Sequence, residues 1–239
     1  MSEQKAVTEM FDNISPRYDF LNHLLSFHID KIWRRKTSKL VASHHPTAIL
    51  DVATGTADLA IRMAKDTASA TITGVDLSEK MLEIGREKIT KKKLEQRITL
   101  EIGDASRLSF PDNSFDAVTV AFGVRNFENI EKGLFEMFRV CKEGGTLAVL
   151  EFSRPKSFWI KGPYNVYSKR ILPLIGRILS GHRNAYHYLP SSIEHFPDAE
   201  TFVKMMEQSG FREVKKRTFS GGIVTLYYGY AQKRTLASQ

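Results

Sequence analysis

The sequence predicts an α/β fold with a mostly parallel, seven-stranded sheet that ends in an antiparallel hairpin. Two observations carry this prediction. Between Ala48 and Phe152, short apolar runs alternate with amphipathic stretches, a pattern typical of parallel strands covered by helices on both faces. Near the carboxyl end, two more strand-like runs are joined through Gly221-Gly222, which indicates a hairpin.

The predicted elements follow one another with recognisable boundaries. The parallel strands are predicted at Ala48–Ala53, Ala70–Asp76, Ile98–Gly103, Phe115–Phe122 and Thr146–Phe152. The helices between them are predicted at Asp58–Ala64, from about Ser78 to Lys91, and at Ile130–Cys141. Ser78 is a favourable N-cap, and Lys142-Glu143-Gly144-Gly145 is a stop signal. The tail adds a helix at Ala199–Ser209 and strands at Phe211–Phe219 and Ile223–Ala231.

We expect one domain, residues 1–239, built from four segments. Residues 1–45 form an N-terminal helical segment, because Phe11, Ile14, Tyr18, Leu21 and Leu25 recur at helical spacing. Residues 46–153 form the core that binds the cofactor, and residues 198–239 the last helix and the hairpin. Residues 154–197 are rich in aromatic side chains and follow a parallel strand, where binding loops lie, so we predict a substrate cover there.

Composition restricts the class of protein. Of the 239 residues, 42% are hydrophobic and 26% are charged, which is ordinary for a globular chain. The single cysteine, Cys141, cannot form an internal disulfide. We find no signal peptide and no apolar run of spanning length, so we expect a cytoplasmic protein, at most peripheral at the inner face of the membrane. The net charge of +8 fits nucleic acid, an anionic membrane or plain solubility.

The chemistry should lie at the carboxyl ends of the strands. Asp51-Val52-Ala53-Thr54-Gly55-Thr56 joins the first strand to its helix, and Gly55 lets backbone approach a ligand there. Asp76 ends the second strand 21 residues later, the spacing expected of an acid that accepts both hydroxyls of a ribose. Asp104 and Ala105 follow the third strand and suit an adenine. Each feature alone is weak; their order along the strands predicts an adenosine site.

The glycine content of the turn distinguishes between adenosine cofactors. The turn keeps one glycine of the dinucleotide pattern, and Asp58 would place a negative charge near a pyrophosphate. S-adenosylmethionine has no phosphate and carries a positive sulfonium, so this turn favours the methyl donor over a nicotinamide. The sequence therefore predicts a Rossmann-like class I S-adenosylmethionine-dependent methyltransferase. We predict no metal site.

Several blocks of the sequence resemble the C-methyltransferases of menaquinone and ubiquinone biosynthesis. The resemblance spans nearly the whole chain and is carried by Phe11-Asp12-x-Ile14, Tyr18-Asp19-x-Leu21-Asn22, Trp33-Arg34, Asp51 to Thr56, Phe122-Gly123-Val124-Arg125-Asn126, Glu151-Phe152-Ser153 and Tyr186-x-Tyr188-Leu189-Pro190-x-Ser192 with Phe196-Pro197. One departure is Ala57, where the family usually has glycine. The short N-terminus and Val-Ala-Thr-Gly-Thr favour the menaquinone-only members.

The resemblance implies ring-carbon methylation of a prenylated quinol, demethylmenaquinol, with S-adenosylmethionine. It implies that Thr56, Asp76, Asp104 and Ala105 contact the methyl donor and that Ala121 lies near it. The substrate's isoprenoid tail would stay in a bilayer, so we expect a transient membrane contact, placed near Phe158 to Arg183 because of its aromatic and basic residues. The sequence is compatible with a homo-oligomer as well as with a monomer.

The reaction needs a group that stabilises a phenolate, because a ring carbon is a poor nucleophile until a neighbouring hydroxyl loses its proton. Arg125, with Asn126 beside it, follows the fourth strand and suits this role; a structural salt bridge is an equal alternative for Arg125. The general base stays unassigned, with Tyr18 and Asp19 as weak candidates. The other two candidates are His187 and Glu151.

Other function classes remain as alternatives. A benzoquinol C-methyltransferase of ubiquinone synthesis is the nearest one. An RNA methyltransferase is another alternative, suggested by the net charge of +8. We nevertheless expect no nucleic-acid partner, because Phe122 to Asn126 stands where amino-directed methyltransferases carry an Asn/Asp-Pro-Pro-aromatic run. A subunit of a quinone-synthesis complex that binds the cofactor without turnover is a further alternative, since no base is assigned.

Overall fold

The computed structural model describes residues 3–155 and 183–233, whose strands form one twisted sheet. The strands are β1 (Ala48–Val52), β2 (Thr71–Asp76), β3 (Ile98–Ile102), β4 (Phe115–Ala121), β5 (Cys141–Phe152), β6 (Phe211–Phe219) and β7 (Val224–Ala231). Their order is β3-β2-β1-β4-β5-β7-β6. The first five strands are parallel, and β7 pairs antiparallel with both β5 and β6. The predicted fold class is confirmed.

Helices cover both faces of this sheet. They are α1 (Glu3–Leu25), α2 (Ile29–Ala42), α3 (Asp58–Asp66), α4 (Glu79–Lys91), α5 (Ile130–Val140), α6 (Arg183–His195) and α7 (Ala199–Gln208). One apolar core joins the sheet to α2, α3 and α4, and a second core joins its opposite face to α5 and α7. The central strands β1 and β4 are buried along most of their length, which explains their continuous apolar runs, whereas the edge strands β3 and β6 are largely exposed.

Local sequence explains where three of these helices begin. The Ser78 hydroxyl accepts a hydrogen bond from the Met81 amide at 3.2 Å and begins α4, as predicted. Asn129 caps α5 in the same way, and Asp198 caps α7. Between α1 and α2 the helical path breaks at Phe27 and His28, whose φ angles are +51° and +61°. The N-terminal segment is therefore two helices joined by a tight turn.

The structure differs from the predicted boundaries at β5. The predicted helix end at Cys141 is wrong by one residue, because Cys141 is extended and pairs with Phe115. The predicted stop signal, Lys142–Gly145, lies inside β5, which begins five residues before Thr146. The pairing register between β4 and β5 shifts at this stretch, and Gly144 has a φ angle of +71°. The glycines therefore form a bulge within a strand instead of a loop before it.

Two expected features lie wholly or partly outside the described residues. The substrate cover was predicted over residues 154–197, of which residues 156–182 are not described. The membrane-facing surface predicted near Phe158 to Arg183 lies outside them too, apart from the backbone of Arg183. At the other end of the predicted cover, α6 is described and includes Tyr188 and Pro190.

Candidate active site

An open cleft lies at the carboxyl ends of β1, β2 and β4, and its empty volume, including open solvent at the mouth, is about 1050 Å³. This is the point where the order of the parallel strands reverses, the usual ligand site of an open α/β sheet. All seven predicted cofactor residues line the cleft: Asp51, Gly55, Thr56, Asp76, Asp104, Ala105 and Ala121.

The turn after β1 is organised by the Asp76 carboxylate at the end of β2. The Gly55 amide donates to Asp76 Oδ2 at 2.8 Å, and the Ser78 amide donates to Asp76 Oδ1 at 3.0 Å. Burial raises the pKa of Asp76, although these backbone donors oppose the rise. The backbone of Leu77 contributes a third hydrogen bond to this carboxylate, which has about four acceptor positions in all, so capacity remains for a ligand hydroxyl.

The same turn adopts left-handed backbone at three alternate positions. The φ angles are +51° at Ala53, +54° at Gly55 and +62° at Ala57. A left-handed alanine costs roughly 1–2 kcal/mol, a cost that glycine would not carry at position 57. Ala57 is fully buried, so its methyl group recovers part of this cost through packing.

Asp51 lies beneath this turn and is 1% exposed. Its carboxylate accepts hydrogen bonds from the hydroxyls of Thr54 at 2.7 Å and Thr119 at 2.6 Å. Burial raises the pKa of Asp51 to about 6, against the effect of the two hydroxyls. Asp51 therefore ties the turn to β4 and holds the cleft floor in place.

Asp104 and Ala105 form a tight turn on the β3 side of the cleft. Asp104 Oδ1 accepts hydrogen bonds from the amide and the hydroxyl of Ser106, both at 2.8 Å. Asp104 Oδ2 has no hydrogen-bond partner among the described residues and remains available to a ligand. Ala105 is 9% exposed and contributes its small side chain to the wall.

Arg125 forms a buried ion pair behind the opposite wall. Its Nη1 lies 2.8 Å from Glu151 Oε1, and the two side chains are 5% and 0% exposed. Nη1 also donates to the Phe122 carbonyl, while the backbone amide of Arg125 donates to Glu151 Oε2 at 3.2 Å. The salt-bridge alternative for Arg125 is therefore realised. Its predicted contact with a substrate oxyanion stays a prediction.

Tyr18 of α1 lines the cleft and lies in the electrostatic field of Arg125. Burial raises the pKa of the Tyr18 hydroxyl, and the charges of Arg125 and Arg34 oppose this rise. The Tyr18 ring also packs edge-on against Phe11, with 5.9 Å between the ring centroids. Four residues of α1 line the cleft in all, so this helix forms part of its wall: Val7, Thr8, Phe11 and Tyr18.

Asn126 lines the cleft on the same side as Phe127 and Glu128. Its Oδ1 accepts a hydrogen bond from the Tyr188 hydroxyl of α6 at 3.0 Å. Tyr188 was not among the site residues predicted from the sequence. The signal that could have found it is its place in the Tyr-x-Tyr-Leu-Pro block.

Asp19 is engaged in a polar network that the sequence did not reveal. It accepts a hydrogen bond from the Thr56 hydroxyl at 2.5 Å and pairs with Lys88 at 2.8 Å. Lys88 also pairs with Asp58. Burial raises the pKa of Asp58, but the positive charges of Arg34 and Lys88 outweigh it and lower the pKa overall. The network connects α1 to the cofactor turn and to α4.

A group with metal-ligand character lies beside this network. One ligand atom each of His23, Asp30 and Asp58 lie within 4.8 Å of one another. Arg34 pairs with Asp30, and Lys88 pairs with Asp58, so both carboxylates already have cationic partners.

Two other residues were predicted as candidates for the general base. Glu151 is held in an ion pair by Arg125, and the side chain of His187 lies outside the described residues.

Strand order, cofactor turn and acidic strand ends together define the class of S-adenosylmethionine-dependent methyltransferases. A model of the ubiE/COQ5 methyltransferase family matches residues 1–231, and the chain belongs to this family. No helix within the described ranges combines the length and apolar character needed to cross a bilayer.

Three similar proteins place the chain further. Demethylmenaquinone methyltransferase of Bacteroides fragilis is 46% identical over 226 residues, which cover 95% of this chain and 91% of that protein. Ubiquinone/menaquinone biosynthesis C-methyltransferase UbiE of Geobacter sulfurreducens is 46% identical over 224 residues, 93% of this chain and 87% of its own. A solved S-adenosylmethionine-dependent methyltransferase from Thermotoga maritima superposes with a TM-score of 0.66 at 18% identity, over 94% and 99% of the two chains. This last likeness concerns the fold alone.

Proposed function

We propose that this chain methylates a ring carbon of a prenylated quinol and converts demethylmenaquinol to menaquinol, with S-adenosylmethionine as methyl donor. The observation that carries the proposal is one cleft in which the adenosine-type residues Asp76 and Asp104 face the polar residues Tyr18 and Asn126. Relatives named for this reaction, at 46% identity over nearly the whole chain, support the choice of substrate.

The residues present fit S-adenosylmethionine. Asp76 keeps acceptor capacity for a ribose hydroxyl, and Asp104 Oδ2 and the Ala105 backbone suit an adenine edge. Thr56 and Ala121 complete the wall, and Asp51 supports it from below. When bound, S-adenosylmethionine supplies an electrophilic methyl group on a sulfonium.

The protein's part of the chemistry is to orient the ring and to stabilise charge on its oxygen. Asn126 is the cleft residue that hydrogen-bonds the phenolate, with its amide oriented by Tyr188. Arg125 acts from behind the wall: Glu151 offsets most of its charge, and the pair holds the backbone beside Asn126 in place. Helix α1 covers the cleft with Phe11 and Tyr18, and thereby excludes water from the reacting atoms.

The proton acceptor is unassigned within this proposal. Tyr18 is the candidate that lies in the cleft; burial raises the pKa of its hydroxyl, and the charges of Arg125 and Arg34 offset part of that rise. Asp19 is less suited, because Thr56 and Lys88 already donate to it. The prenyl tail of the substrate also requires a transient contact with a membrane surface, which is part of the proposal.

The test is methyl transfer from labelled S-adenosylmethionine to three acceptors in detergent: reduced demethylmenaquinone, a benzoquinol of the ubiquinone pathway, and bulk RNA. Label in the naphthoquinol alone is the expected result. Label in the benzoquinol as well would widen the substrate range to both quinones, as the name of the Geobacter relative suggests for that protein. Label in RNA alone, or no label in any of the three acceptors, would refute the proposal.

A further inference from the structure

An exposed apolar patch surrounds the turn between α1 and α2. Phe27 in the turn is 74% exposed, and Phe20 of α1 is 61% exposed. Leu24 lies one helical turn after Phe20, and Ile29 and Ile32 continue the patch onto α2. Side chains of this size are rarely grouped on a surface that meets only water.

The exposed face of α2 is uniformly basic apart from its isoleucines. Lys31, Arg35 and Lys39 follow one another at intervals of four residues, and Lys36 lies beside them. All four are exposed. The acidic residue of this helix, Asp30, is buried against Arg34 and His23 and adds no negative charge to this face.

We propose that this face, defined by Phe20, Leu24, Phe27, Ile32, Lys31 and Arg35, docks onto an anionic bilayer surface and delivers the cleft to its lipid substrate. The inference rests on the proposed function, because only a substrate held in a bilayer requires such a surface. Apolar side chains beside a basic helical face are the features that bind the headgroup region of anionic membranes.

The position of the patch supports this occupant. The two helices that carry the patch also form the cleft wall, through Phe11 and Tyr18 of α1 and Arg34 of α2. A quinol could therefore enter the cleft from the bilayer while its prenyl tail stays among the lipid chains. A second copy of the chain is a poorer occupant, because two like basic faces would repel each other.

The test compares binding to vesicles of phosphatidylcholine alone and with phosphatidylglycerol, by co-sedimentation at low salt. One variant removes charge (Lys31→Gln with Arg35→Gln), and another removes apolar groups (Phe20→Gln with Phe27→Asn). Asparagine is chosen at position 27 because the φ angle there is +51°. Matched controls change exposed residues elsewhere: Lys92→Gln with Lys93→Gln, and Phe135→Gln, which is 56% exposed on α5.

The wild-type protein is expected to bind the anionic vesicles and to be released by salt. Loss of two surface cations should weaken this binding about 30-fold, and the apolar variant should weaken it about tenfold or more. Both controls should bind like the wild type. Failure of the wild-type protein to bind, wild-type binding by both patch variants, or equal loss in the controls would overturn the proposal.

Two further readouts distinguish a membrane surface from a dimer interface and from a failure of the proposed function. Methylation of a short-chain, water-soluble demethylmenaquinol should be the same in the wild type and all variants, whereas its absence in every protein would refute the proposed function but not the membrane surface. Size-exclusion chromatography should give one oligomeric state throughout. Patch variants that dissociate from a dimer yet bind vesicles normally would assign the patch to a second copy and overturn the proposal.

Discussion

Replacing Asp76 with asparagine tests whether the cleft holds an adenosine ribose. The amide keeps one acceptor oxygen and the size of the side chain, but it loses the charge and one acceptor. A hydrogen bond to a charged group contributes about 1.5–3 kcal/mol, so loss of one weakens S-adenosylmethionine binding roughly 10- to 150-fold.

The assay is calorimetric titration with S-adenosylhomocysteine and with an analogue that lacks one ribose hydroxyl. We expect Asp76→Asn to weaken binding of the analogue less than binding of S-adenosylhomocysteine, because one ribose hydroxyl that Asp76 would bind is already absent from the analogue. Asp116→Asn is a matched control: this carboxylate also accepts from two backbone amides, those of Thr47 and Ala48, but it lies at the amino end of β4. A folded Asp76→Asn protein that binds within threefold of the wild type, or an equal loss in Asp116→Asn, would refute the ribose assignment.

Three further predictions concern the cleft and its supports. Tyr188→Phe removes the hydroxyl that donates to Asn126 and should lower kcat for the quinol about two- to tenfold, with an unchanged Kd for S-adenosylmethionine. An equal change in kcat and Kd would contradict the role of Tyr188 in orienting Asn126. The pKa of Asp51 is raised from an ordinary value of 3.8 to about 6 in the folded protein. The folded state therefore binds more protons than the unfolded chain between these values, and the contribution of Asp51 to stability falls as pH rises from about 4 to 6. The stability of the wild type relative to Asp51→Asn should fall by up to about 3 kcal/mol over that range in urea titrations, and a flat difference would refute this. Lys88→Gln removes the cation that pairs with Asp19, so amide hydrogen exchange in α1 should accelerate about 5- to 30-fold while α5 is unchanged; unchanged exchange in α1 would show that the pair does not hold the helix.

Much of the core was predictable because its signals are local. Apolar runs located the parallel strands to within about one residue at most ends, and Ser78 marked the start of α4. The β5 boundary failed because Gly144-Gly145 is a typical stop signal, whereas here it forms a bulge. Only the pairing of Cys141 with Phe115, a contact between distant parts of the chain, extends the strand past those glycines.

The candidate site also contains some features that local sequence signals predict and others that depend on contacts between distant parts of the chain. The cofactor-side residues follow from spacing, because the carboxyl ends of neighbouring parallel strands meet at one edge of the sheet. The Arg125–Glu151 pair and the Thr56–Asp19–Lys88 network join residues 26 to 69 positions apart, and no local pattern indicates them. The left-handed φ angle at Ala57 was equally hidden, since alanine gives no sequence signal for that conformation.

The most direct test of the central claim is a single-turnover reaction with S-adenosylmethionine carrying a ¹³C methyl group and reduced demethylmenaquinone, followed by NMR of the extracted quinone. We predict a labelled methyl group bonded to a carbon of the naphthoquinone ring, and its loss in the Asp76→Asn protein at low cofactor concentration. Label on oxygen, or an unlabelled quinone from a protein that binds S-adenosylmethionine normally, would contradict the account.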